Sequence, residues 1–123
     1  MGTRNRVIAG GISLLIYSVI FLFSSMPAGS LPSGIPDVIP HFLEFFLLAF
    51  FLIQVFASPR QGIALAAAVL LLAALAFLDE WHQRSVPGRI FSWLDLLYDI
   101  LGAAGGLAAF ALLDRRRSVK RDT

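Results

Sequence analysis

Between His41 and Asp99, an otherwise apolar chain gathers the side chains that could do chemistry. These are His41 and Glu44, then Asp79, Glu80 and Gln83, then Arg89, then Asp95 and Asp99. Carboxylates beside an imidazole can trade protons, so His41, Glu44, Asp79, Glu80 and Asp99 are the candidates for general acid and base work. His41, Glu44, Asp79 and Asp99 could instead hold a divalent metal ion. Hard oxygens suit Mg²⁺ or Ca²⁺, and the imidazole also admits Zn²⁺ or Mn²⁺. Arg89 can grip a phosphate or carboxylate bidentately, with Gln83 and Asp95 as further ligand-binding candidates. The chain has no cysteine, and Ser85 and Ser92 read as a loop residue and a helix cap. No nucleophile stands out, so whether the protein is an enzyme stays open.

Each motif also has a plainer reading. His41 and Glu44 are three apart and share a helical face, which suits helix docking as well as chemistry. Asp79 and Gln83, four apart, share a face if their helix runs that far. Glu80 points about 100° away, toward another helix. Pro87-Gly88 fits the centre of a type II turn, with Gly at positive φ, and Arg89 could simply neutralise the acids around it. Ser92-Trp-Leu-Asp95 matches a helix N-terminal capping pattern, which gives Asp95 a structural task. Asp99, one turn deeper, has no such task. Trp81 and Trp93 suit the headgroup level of a membrane, as do His82 and Tyr98.

These groups must be positioned by elements built for lipid. Of the 123 residues, 58% are apolar, and the mean hydropathy is +0.79. Four apolar runs stand out: Val7–Phe23, Val38–Ala57, Ile63–Leu78 and Trp93–Leu113. A helix needs about 20 residues to cross the hydrocarbon core, and a spanning segment must satisfy its own backbone. The expected fold is therefore an all-α, four-transmembrane-helix bundle forming a single membrane domain over 1–123. Its helices fall at about 7–26, 38–57, 62–80 and 93–113, followed by a basic tail over 114–123. The first run follows Arg4 and Arg6 and precedes small residues, as a signal peptide would. It exceeds the about 7–15 apolar residues usual for one, and is read as a span.

Lys and Arg mark the cytoplasmic side. With both termini cytoplasmic, 8 of the 10 basic residues lie inside, Arg60 in its short loop among them, and only Arg84 and Arg89 outside. The tail then anchors the topology against anionic lipid, and its position argues against nucleic acid as a partner. Asp37, Glu44, Asp79, Glu80, Asp95 and Asp99 all fall at the outer side, where six acids meet two arginines. Gly102 and Gly106 form G-x-x-x-G, which lets another backbone approach closely. Packing inside the bundle is the economical reading, and a homo-oligomer through Gly102 and Gly106 the other. The phenylalanines at 42, 45, 46, 50 and 51 read as packing or lipid-facing.

The order of motifs resembles the VanZ-like family. It runs His41-Phe-Leu-Glu44-Phe45, then Asp79-Glu80-Trp-His-Gln83, then Pro87-Gly88-Arg89, Ser92, Asp95, Asp99 and Gly102. The resemblance spans roughly Pro40 to Leu113, and the family usually has Asn where this chain has Asp99. It implies a small integral protein of the bacterial cytoplasmic (inner) membrane and cell envelope. The founding member gives low-level teicoplanin resistance, and no family reaction carries over. The leading expectation is binding of an anionic lipid or lipid-linked headgroup at the outer leaflet, with antibiotic resistance as a consequence. The alternatives are a metal-assisted membrane enzyme acting on a lipid-linked substrate, and a non-catalytic assembly partner. A transporter is disfavoured because the inner halves of three helices lack polar groups.

Overall fold

A helix closes its hydrogen bonds within itself, which is why long apolar runs take that form in lipid. The computed structural model describes residues 2–31, 34–56 and 62–119. Among these the chain forms α1 (Thr3–Ser24), α2 (Val38–Leu52), α3 (Gly62–Gln83) and α4 (Trp93–Val119), and no strand. One 3-10 turn, Ala28–Ser30, follows α1, and another, Ile53–Val55, prolongs α2. All four helices are long and apolar enough to cross a membrane. The connection carrying Arg60 and the end of the tail from residue 120 lie outside the described residues.

The bounds depart from the apolar runs at their polar ends. α1 starts at Thr3 and takes in Arg4 and Arg6. α3 continues through Asp79 and Glu80 to Gln83, which is what sets Asp79 and Gln83 one turn apart on one face. α4 runs past Leu113 to Val119, through the first residues of the basic tail. Arginine is a good helix former, and positive charge is favourable at a helix C-terminus.

The helices run alternately up and down, so both termini lie at one end of the bundle, with Arg4, Arg6 and Asp114, and the cluster of His41, Glu44, Asp79, Glu80, Asp95 and Asp99 lies at the other. The core is narrow. Ile20, Phe45, Leu48, Leu72, Ala76 and Ala103 pack at its centre; Ile53, Ala68 and Phe110 pack toward the terminal end. The outside is as apolar as the inside, with Leu14 and Leu70 exposed by 69% and 71%. Such a surface is stable only against lipid. The chain is a multi-pass membrane protein.

The closest packing joins α2 to α4. A methyl group added at Gly102 would strike the carbonyl of Phe42, and one at Gly106 the carbonyl of Phe46. Gly105 sits against the Phe46 ring. The small-residue face is thus covered by α2 of the same chain, the bundle-packing use that its spacing allowed.

Candidate functional site

The polar end is assembled from all four helices. α2 enters with His41 and Glu44 in its first two turns. α3 leaves with Asp79, Glu80 and Gln83 in its last. α4 is capped by Ser92, whose hydroxyl accepts the Asp95 backbone N–H at 3.2 Å; this is the capping bond expected from Ser92-Trp-Leu-Asp95. Its reciprocal half is different. In a capping box the Asp95 carboxylate would take the Ser92 backbone N–H. Here Glu80 of α3 takes it, with Oε2 at 2.9 Å. The capping role expected for the Asp95 side chain is therefore filled by Glu80. That frees the Asp95 carboxylate to face His41, whose Nε2 lies 4.0 Å from Oδ2.

Asp99, one turn deeper, is fully buried. His41 Nδ1–H donates to its Oδ1 at 2.9 Å. The bond joins α2 to α4 directly above the glycine seam. Asp79 is held in the same manner from its own helix, with Gln83 Nε2 donating to Oδ2 at 2.9 Å. Gln83 also lies 3.4 Å from the buried hydroxyl of Ser24 at the end of α1. Two triads of possible metal-ligating groups come together, one of His41, Glu80 and Asp95, the other of Asp79, Glu80 and Asp99. Within each, one ligand atom per residue lies within 4.8 Å of the others. Glu80 is common to both. Glu44 joins neither.

Glu44 faces a cavity of about 230 Å³ instead. His41, Glu44, Gln83 and Ser24 form part of its wall, Arg89 and Asp37 its charged edge, and Phe23, Leu31 and Ile35 its apolar side. Of the site residues expected from sequence, His41, Glu44, Gln83 and Arg89 thus line one cavity. Glu80, Asp95 and Asp99 gather around His41, and Asp79 stands beside Glu80 and Asp99.

Arg89 has a structural task that its sequence context does not reveal. Val86 to Arg89 form the expected type II turn, with Gly88 at φ +76° and Arg89 N–H bonded to Val86 O at 3.1 Å. The turn delivers the guanidinium to the end of α1. There Nη2 donates to Phe23 O at 3.0 Å and Nε to Met26 O at 3.3 Å. Carbonyls in the last turn of a helix have no partner within it, and Arg89 supplies one. Its Nη1 donates to no described residue, so a fork remains for a ligand only in part. Ser24 and Ser25 are the residues that the sequence does not advertise. Ser24 meets Gln83, and Ser25 Oγ lies 3.0 Å from His82 Nε2, whose ring stacks on Phe21. A Ser-Ser pair closing an apolar helix was the available signal. Trp81 and Trp93 are largely exposed, as interfacial residues are.

The model of the VanZ/LLP1 family matches residues 11–114, which takes in most of α1, all of α2 and α3, and α4 as far as Asp114. No curated protein and no solved structure is similar enough to the chain to add to that match.

Proposed function

The chain belongs to the VanZ/LLP1 family, and on that premise we propose that it binds the phosphate-bearing headgroup of a lipid, or of a lipid-linked envelope molecule, at its polar end. The observation that carries this reading is the cavity between α1, α2 and α3. It sits at the polar end of the bundle, and it offers a chain-like ligand an apolar side and a polar wall. Arg89 Nη1 supplies the donor for a phosphate oxygen. Glu44, Asp37 and His41 face it and suit hydroxyl or amine groups on the same headgroup.

The distribution of Lys and Arg supports an orientation with both termini cytoplasmic. The cavity then opens to the outer leaflet of the bacterial cytoplasmic membrane. If the ligand is a lipid-linked wall precursor, the protein's contribution to glycopeptide (teicoplanin) resistance would follow from sequestering or presenting it.

Native mass spectrometry of protein extracted in mild detergent, with added polyprenyl phosphate or phosphatidylglycerol, tests the reading. The expected result is a retained lipid whose occupancy falls about tenfold in Glu44→Gln and Arg89→Gln, as for the loss of a charge-assisted hydrogen bond. No retained lipid, or equal retention in both variants, would overturn it. A mass change in the bound lipid would move the protein to the enzymes.

A further inference from the structure

The three buried carboxylates share a feature that packing does not explain. Asp79 is 2% exposed, and Glu80 and Asp99 are 0% exposed. Each has one oxygen fixed by a protein donor: Gln83 for Asp79, the Ser92 backbone for Glu80, His41 for Asp99. Each has its other oxygen buried with no hydrogen-bond partner among the described residues, namely Asp79 Oδ1, Glu80 Oε1 and Asp99 Oδ2. An unpartnered buried oxygen is costly, and three on neighbouring carboxylates, with like charge in a low-dielectric setting, are costlier still. A carboxylate held at one oxygen and open at the other is the arrangement expected of a metal ligand oriented by an outer shell.

We propose that Asp79, Glu80 and Asp99 form an all-oxygen site for one divalent cation, with Gln83, the Ser92 backbone and His41 as the groups that aim them. One oxygen from each of the three lies within 4.8 Å of the others. Opposite oxygens about a Ca²⁺ ion are roughly 4.6–5.2 Å apart and about a Mg²⁺ ion roughly 4.0–4.2 Å, from their bond lengths. A spacing within 4.8 Å admits a hard cation of this class, Ca²⁺ and Mn²⁺ with least adjustment and Mg²⁺ if the carboxylates draw in, with water completing its coordination. His41 gives Nδ1 to Asp99 and turns Nε2 toward Asp95, so in this site it orients a ligand from the outer shell. The cation ties α3 to α4 and cancels two of the three negative charges.

Chelator-stripped, full-length protein in detergent, titrated with Mn²⁺ alone and followed by electron paramagnetic resonance of the free ion, tests the proposal. One saturable site per chain is expected, displaced by excess Ca²⁺ or Mg²⁺. Glu80→Gln and Asp99→Asn should each weaken it by at least about tenfold, and Asp114→Asn, at the far end of α4, should leave it unchanged. Gln83→Met keeps every charge and removes the Asp79 donor, together with the longer contact to Ser24; about a tenfold loss is expected, the low end for an outer-shell partner. Absence of a saturable site in the folded wild type would overturn the proposal, as would affinity that survives both Glu80→Gln and Asp99→Asn. Unchanged affinity in Gln83→Met would remove Asp79 from the site. The metal is the only probe, so the result does not depend on whether the cavity takes a headgroup.

Discussion

The α2–α4 pair is built on opposite terms at its two levels. Below, Gly102 and Gly106 press on the carbonyls of Phe42 and Phe46 with no side chain between them. Above, His41, Asp95 and Asp99 meet across the same two helices, with charge and unpartnered oxygens in place of close packing. One level is closed and apolar, the other polar and beside a cavity. They are also one device. Asp95, Asp99, Gly102 and Gly106 follow at spacings of four, three and four, a single face of α4. The seam sets the height and rotation of that face, and so decides which carboxylate His41 reaches. The dense level has no freedom and thereby places the level that has some.

Breaking the seam should have the largest effect. Gly106→Leu drives a side chain into backbone that cannot step aside. A loss of about 3 kcal/mol or more is expected, at or beyond the upper range for overpacking. Reversible unfolding in mixed micelles measures it. The His41–Asp99 bond should fail with it, because both depend on one register. A Gly106→Leu protein as stable as wild type would mean that the two levels are not coupled.

A smaller and two-signed effect separates the polar level from ordinary packing. His41→Ala removes the only described donor to Asp99 and should cost about 1–3 kcal/mol, the price of an orphaned buried acceptor. Asp99→Asn relieves like-charge crowding, so in chelator it should be no less stable than wild type, and more stable if repulsion dominates. Melting in detergent, with and without chelator, reads both. A large loss in Asp99→Asn under chelator would mean that Asp99 serves the fold first and the site second.

The smallest effect is expected at the turn that delivers Arg89. Gly88 sits at φ +76° with Ala28 Cβ within 3.3 Å of where its own would be. Gly88→Ala should cost about 1–2 kcal/mol from the left-handed backbone alone. It should also loosen the Arg89 bonds to Phe23 and Met26 without touching the α2–α4 seam. Hydrogen exchange confined to the end of α1 is the expected signature. Exchange spreading into α2 and α4 would show that the turn and the seam are one unit.

Much of this molecule is legible from its residues taken in order. Lipid demands long apolar runs with closed backbones, so four helices follow from hydropathy alone. Ionisable groups are costly in such runs, so His41, Glu44, Asp79 and Asp99 stand out without any structure. The capping Ser92 and the Pro87-Gly88 turn follow from local backbone geometry. Tertiary structure decided which groups meet. Glu80, expected to point at another helix, takes the Ser92 N–H that local pattern gave to Asp95. Arg89, expected among the acids, reaches the end of α1. Asp99, with no local task, receives His41. The physical reason is the same in each case. Local pattern fixes depth and face along one helix, whereas a hydrogen bond between helices depends on register and rotation, and here those are set by two glycines lying against the backbone of α2.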